Sequence, residues 1–270
     1  MKIRHGLRLA SLALLPLSAG CRTATPYLDP RGPVYAGAHA EGRQARPVLR
    51  IVTFNIEYAR RIPQALRALR EHPRLRDADL LLLQEMDAPG SEALARGLRL
   101  NYVYYPASIH PGTKRDVGNA ILTPWPIESS FKLPLPHRSR LLRQSRAAVG
   151  ALVSVAGRRL RVYAVHLGSP LGASGGQRGD QLEVVLCDAR GSPDPVVVGG
   201  DFNSHGIGRR LAADGYAWPT RDIGKSTRFF SFDHVFVKGL PLAGAIAGVA
   251  RDVTDASDHR PVWVELALPD

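Results

Sequence analysis

Apolar runs of strand length recur along this chain, and a polar residue stands at or just past the end of each. Asn55 closes LRIVTFN, Glu85 closes ADLLLLQE, and His166 lies at the end of RRLRVYAVHL. Asp201 and Asn203 follow PVVVGG, Asp233 opens DHVFV, and Asp258–His259 precede PVWVELAL. Continuous apolar runs of this length read as strands buried in a core. Polar groups confined to their ends then collect along one edge of a β-rich core. A buried ionised carboxylate is costly unless it is paired or metal-bound, so that edge is where proton transfer and metal binding belong. Helical spacing is confined to PQALRALREH and DQLEVVLCDA. NYVYYP and VGNAIL are further strands, and AGR joins AAVGALVSV to RRLRVYAVHL as a hairpin. A proline-rich stretch from Pro124 to Pro136 follows VGNAIL. Many strands, few helices and no second linker give one domain over residues 49–270.

The amino terminus has a different character. Lys2, Arg4 and Arg8 precede an apolar stretch from Leu9 to Leu17, too short to span a bilayer. LSAGC, ending at Cys21, resembles a bacterial lipobox, with Ser18 where leucine is usual. The expectation is a lipoprotein signal peptide over residues 1–20 and lipidation of Cys21. The protein would then be exported to the bacterial cell envelope and anchored there, periplasmic or on the outer surface, with the membrane as a partner. Residues 21–48 are rich in Pro, Gly, Arg and Ala without a hydrophobic period and read as a flexible tether. With Cys21 lipidated, the only other cysteine, Cys187, has no disulfide partner; it reads as a buried core thiol. No protein partner is evident. The charge is +12, from 36 Lys+Arg against 24 Asp+Glu, which favours anionic partners, nucleic acid and phospholipid headgroups among them.

The motifs narrow the chemistry. Glu85 suits a hard divalent cation such as Mg²⁺, which needs only one or two carboxylates, and Asn55 adds a neutral oxygen. Asp201 and Asn203 lie two apart, so in a continued strand they face the same side. An Asp there can orient or deprotonate a water, and an Asn amide can donate to a phosphoryl oxygen. Asp258 and His259 are adjacent in an extended segment and point apart, which leaves Asp233 as the carboxylate to reach His259. His166 supplies a second imidazole. HExxH, Walker-loop and CxxC patterns are all missing from the sequence.

In order and kind, TFNIE, LLLQE, GNAILTPWPI, VHLGSP, GGDFNS, FDHVFV and SDHRPV resemble the motifs of the endonuclease/exonuclease/phosphatase superfamily, over residues 49–268. That superfamily includes pancreatic deoxyribonuclease, abasic-site endonucleases, neutral sphingomyelinases and inositol-polyphosphate phosphatases. The resemblance implies an α/β four-layer sandwich, two mixed β-sheets packed face to face with helices outside. It implies Mg²⁺ held by Glu85, Asn55 and Asp258, with Mn²⁺ as a substitute. It implies His259 as base or phosphate contact oriented by Asp233, Asp201 positioning the attacking water, and Asn203 binding a phosphoryl oxygen. His166 would stand near the leaving group, and Asn119 would be a further phosphate-side contact. The expected activity is Mg²⁺-dependent hydrolysis of phosphoester bonds, as a phosphodiesterase or endonuclease acting on a phosphate-containing substrate. A phospholipid or sphingomyelin phosphodiesterase, a phosphomonoesterase, and a non-catalytic binding lipoprotein on the same scaffold are the alternatives.

Overall fold

Alternation along the strands decides the layers. In β3 (Val48–Asn55), Leu49 and Ile51 face one way while Val52 and Phe54 face the other; in β4 (Leu80–Met86), Leu80 and Leu82 oppose Leu81 and Leu83. Both faces of these strands are apolar, so both must be covered. The computed structural model, which describes residues 23–268, covers them with a second sheet on one side and helices on the other.

The larger sheet has eight strands in the order β1-β5-β6-β4-β3-β13-β12, with β2 also paired to β5. Here β1 is Thr25–Pro26, β2 Tyr35–Gly37, β5 Asn101–Ile109 and β6 Asp116–Thr123, with β12 at Ile246–Val249 and β13 at Val262–Ala267. The smaller sheet has five strands in the order β11-β10-β9-β8-β7. They are β7 (Ile127–Leu135), β8 (Arg146–Val155), β9 (Arg158–His166), β10 (Val196–Asp201) and β11 (Asp233–Lys238). Leu49, Ile51, Leu80 and Leu82 of the larger sheet pack on Val149, Val162, Val197 and Val235 of the smaller one. Outside the larger sheet lie α1 (Ile62–Glu71) and α2 (Ala88–Leu98); outside the smaller one lie α3 (Gly175–Arg190) and the short α4 (Gly208–Ala213). This is the four-layer α/β sandwich expected from the motifs.

Local signals set the helix ends. Asp87 caps α2 by accepting from the Gly90 N–H, and Ser174 and Gln177 form a reciprocal capping box at α3. The buried side of α3 carries Leu182, Val185, Leu186 and Ala189. Cys187 falls on its other side and is exposed, so the reading of a buried thiol was wrong. The proline-rich stretch contains β7, an edge strand, where a proline lacking its N–H does little harm. α2 and β12 also went unanticipated.

Residues 23–48, read from composition as a flexible tether, lie along the larger sheet. β1 and β2 both pair with β5, and the Tyr27 hydroxyl donates to Asp116. Lys132 is buried, and its ammonium donates to the carbonyl oxygens of Tyr27 and Gly32 at 3.2 and 2.7 Å. Backbone pairing to an edge strand needs no hydrophobic period, which is why composition missed it. Residues 1–20 and Cys21, with the signal-peptide and lipidation expectations, lie outside the described residues.

Candidate active site

Strand register brings the end-of-strand residues together. In the smaller sheet β9 and β10 are parallel, with His166 opposite Asp201. The antiparallel β11 begins with Asp233 opposite Asp201, so the three stand in one row. In the larger sheet β3 and β4 are parallel, which sets Asn55 and Glu85 at matching carboxyl ends. β13 runs antiparallel to β3 with Val262 opposite Thr53, so Asp258 and His259, just ahead of it, arrive at the same end. Asn55, Glu85, His166, Asp201, Asn203, Asp258 and His259 line one cleft of about 460 Å³. Asp233 lies behind His259, fully buried.

Three local devices aim these groups. The β4–β6 register shifts between Leu83 and Met86, so Gln84 and Glu85 bulge against one residue of β6. Glu85 sits there with φ 54°, and a bulge of this kind re-aims a side chain toward a site. Asn203 adopts φ 51°, which asparagine tolerates, and turns back so that its N–H donates to Asp201 Oδ1 at 2.9 Å. Ser257 Oγ donates to the Asn55 carbonyl oxygen at 2.7 Å and accepts from the His259 N–H, tying the Asp258–His259 segment to β3. The two glycines ahead of Asp201 serve packing. A Cβ on Gly200 would lie 1.8 Å from the Val165 carbonyl oxygen, and one on Gly199 would lie 2.5 Å from Leu82 across the sandwich.

Asp233 Oδ2 lies 2.7 Å from His259 Nδ1, the pairing expected from the sequence. His259 Nε2 then lies 3.8 Å from Asp201 Oδ2. Burial works against a charged imidazole, but the carboxylates of Asp233 and Asp201 outweigh it and push His259 up to about 10. Burial pushes the Asp201 carboxyl up to about 7, against the pull of charged His259 and the donors Asn203 N–H and Asn55 Nδ2. His166 is held well below its ordinary value by burial and by the charges of Arg146 and His259. Arg146 Nη1 stands 3.2 Å from His166 Nδ1, which makes Nδ1 the acceptor and leaves the proton on Nε2, 3.4 Å from Asp201 Oδ2.

Among the described residues Glu85 has no ion-pair partner nearer than His166 Nε2 at 4.0 Å. Burial raises its carboxyl above the usual range, although Arg146 and His259 pull the other way. Glu85, Asp258 and the Asn55 amide oxygen offer only hard oxygen donors to the cleft, and the largely buried Glu85 carboxylate makes no ion pair closer than 4.0 Å among the described residues. That donor set fits a divalent cation. Asp201, Asp233 and His259 also place ligand atoms within 4.8 Å of one another. There, however, the imidazolium already supplies the positive charge.

Asn119 is not brought to the cleft in the expected way. Its Nδ2 donates to the carbonyl oxygens of Ala147 and Ala164, at 2.7 and 3.2 Å, bridging β6 to the facing sheet. Its donors are spent, so it has none left for a phosphoryl oxygen. Sequence reasoning passed over two residues that do line the cleft, Arg146 and Tyr58. A cation entering the apolar run AAVGALVSV was the signal for Arg146. Tyr58 sits between Glu57 and Ala59 in three successive positive-φ residues, and a strained turn of that kind leaves no mark in composition.

A model of the endonuclease/exonuclease/phosphatase family matches residues 52–259. The chain belongs to that family. That family comprises endonucleases, exonucleases and phosphatases and generally depends on a metal. A UPF0294 protein of Vibrio vulnificus (strain YJ016) is 34% identical over 98 residues, covering 33% of each chain. The match thus spans about a third of that relative's length. Among solved structures, an endonuclease/exonuclease/phosphatase from Beutenbergia cavernae superposes with TM-score 0.66 at 21% identity, covering 83% of this chain and 72% of that one. D. rerio TDP2 complexed with single-strand DNA product gives 0.62 at 17%, covering 83% and 100%. A mannosyl-6-phosphatase from Bacteroides thetaiotaomicron gives 0.59 at 17%, covering 82% and 100%. At these identities the structures share the fold.

Proposed function

We propose that this family member is a Mg²⁺-dependent phosphodiesterase, with Mn²⁺ able to substitute, held at the cell envelope by a lipid on Cys21. The observation that carries the chemistry is the buried, unpaired Glu85 beside Asp258 and Asn55, facing the Asp201–His259–Asp233 chain across one cleft. Bound by Glu85, Asp258 and Asn55, the cation would act as a Lewis acid, stabilising charge that builds on the phosphoryl oxygens.

The remaining roles follow from protonation states. Asp201, pushed up to about 7, is poised to take a proton from an attacking water near neutral pH. Asn55 Nδ2 and the Asn203 N–H fix the orientation of its carboxylate. His259, charged and held by Asp233, donates from Nε2 to a phosphoryl oxygen and so works as a charged donor more than as a base. Asn203 Nδ2 gives one hydrogen to the Leu167 carbonyl oxygen and keeps one for the phosphate. Neutral His166 offers its Nε2–H on the leaving-group side. Water attacks phosphorus directly and no covalent enzyme intermediate is required.

A phosphodiester is favoured because the cleft is open on the side of Asn203, where a second cavity of about 680 Å³ gives room for a second ester group. Nucleic acid and phospholipid both meet that description. The test is hydrolysis of plasmid DNA, RNA, anionic phospholipid, sphingomyelin, bis(4-nitrophenyl) phosphate and 4-nitrophenyl phosphate with Mg²⁺, Mn²⁺ or chelator. Turnover of diesters that chelator abolishes is the expected result. Chelator-resistant turnover, or turnover indifferent to His259→Ala, overturns the reading. The anchor is tested by palmitate labelling, which Cys21→Ala should abolish.

A further inference from the structure

Among the described residues, the four most exposed large apolar side chains are Leu171 at 82%, Leu141 at 77%, Phe229 at 61% and Phe230 at 55%. Three of them stand around the mouth of the cleft, and Phe229 lies beside one of these, Phe230, with ring centroids 6.2 Å apart. Leu141 and Leu171 line it, and Phe230 lines the adjoining cavity, which shares Ser169, Leu171 and Asn203 with it. The two leucine-bearing loops are joined by a hydrogen bond from the Arg140 N–H to the Gly172 carbonyl oxygen at 3.1 Å. Apolar tips of this kind, left in water beside an active site, mark a surface that is covered in use.

The loops around the mouth carry Arg138, Arg140, Arg143 and Arg228, and among the described residues none of the four has a carboxylate within ion-pair distance. Elsewhere many arginines are paired, as Arg43, Arg46, Arg50, Arg115 and Arg190 are. The cleft's rim therefore combines exposed aliphatic and aromatic tips with uncompensated positive charge. A nucleic-acid strand would account for the arginines and the phenylalanines. Branched aliphatic tips offer no face for stacking bases, whereas an anionic lipid surface accounts for both sets.

The amino terminus points the same way. The Ala24 N–H donates to the Leu142 carbonyl oxygen at 2.7 Å, so the chain leaves the rim loop itself. Cys21 lies three residues earlier, a reach of no more than about 11 Å. A lipid on Cys21 would thus enter the bilayer beside the cleft instead of at the end of a long tether.

We propose that the rim formed by Leu141, Leu171, Phe229 and its unpaired arginines docks on an anionic phospholipid surface and turns the cleft toward it. The orientation part rests on the lipid anchor and the phosphodiesterase reading above; the docking part stands apart from both. The full chain carrying Cys21→Ala, so that no acyl chain reports for the rim, is floated with vesicles containing phosphatidylglycerol or made of phosphatidylcholine alone. Binding should be stronger by about tenfold or more to the anionic vesicles, and Leu141→Glu/Leu171→Glu/Phe229→Glu in the same background should lose about tenfold or more. Arg138→Ala/Arg143→Ala should remove most of the anionic preference. Melting temperature and far-ultraviolet circular dichroism of both variants should match the parent's, showing that the fold is intact. Equal flotation of parent and triple-glutamate variant overturns the proposal. So does a variant that loses oligonucleotide binding but keeps vesicle binding, which would assign the rim to nucleic acid. A parent that floats but hydrolyses no ester overturns the phosphodiesterase reading and leaves the docking supported.

Discussion

The two ends of β4 hold acids of opposite character. Asp79, just before the strand, is 2% exposed and surrounded by donors. Its Oδ2 accepts from Arg46 Nη2 at 3.1 Å and the Arg50 N–H at 2.8 Å, and its Oδ1 from Trp125 Nε1 at 3.2 Å, with Arg43 at 3.7 Å. Glu85, near the other end, is also largely buried, yet among the described residues nothing cationic comes nearer than 4.0 Å. Asp79 is a completed arrangement that locks β4 to its neighbours. Glu85 carries the desolvation cost of a buried charge with its attraction left unmet.

The comparison breaks most visibly at Glu85. Glu85→Gln should lower turnover about 100- to 1,000-fold at saturating metal while leaving the melting temperature unchanged or raised, since it removes an uncompensated charge. A destabilised variant that kept its activity would place Glu85 with Asp79 as a structural acid. Asp233→Asn should cost about 100-fold or more in turnover, because the His259 imidazolium loses the carboxylate that holds it. The same variant has a signature in stability. His259 is raised to about 10, above an unfolded value of about 6.5, so its contribution is complete below that value and disappears as pH rises toward 10. Urea unfolding in chelator should therefore show stability falling between neutral and alkaline pH in the parent, with a flatter profile in Asp233→Asn. Asp79→Ala should do the reverse of Glu85→Gln. It costs about 3 kcal/mol in denaturant unfolding and leaves turnover per folded molecule unchanged. The smallest effect belongs to Cys187→Ser, within about 0.5 kcal/mol, with a thiol reagent labelling the folded parent rapidly.

Most of the candidate site was legible because strand-end polarity is a local signal. Asn55, Glu85, His166, Asp201, Asn203, Asp258 and His259 could each be picked out from the apolar run beside it, and all line one cleft. Even the partner of His259 followed from the opposed directions of neighbouring side chains. Asn119 shows where that reasoning stops. It too lies in a strand motif, but β8 and β9 present two carbonyls to it across the sandwich, and contacts between sheets carry no sequence period. Arg146 and Tyr58 were hidden for the same reason, and the amino-terminal strands because edge pairing is made by backbone.

By itself the sequence determined the layers, the family and the set of groups that can handle a phosphoric ester, since burial pattern and residue chemistry are written position by position. Only the tertiary structure decided their states. Whether a carboxylate is satisfied like Asp79 or left waiting like Glu85 depends on donors far away in the chain. Arg43 and Arg46 reach Asp79 from the amino-terminal segment, and among the described residues no cation comes within 4.0 Å of Glu85. The protonation of Asp201 and His259, and the gathering of exposed leucines and unpaired arginines at one rim, likewise come from distances across the fold. Electrostatic energies depend on those distances and on exclusion of water, neither of which exists until the chain has packed.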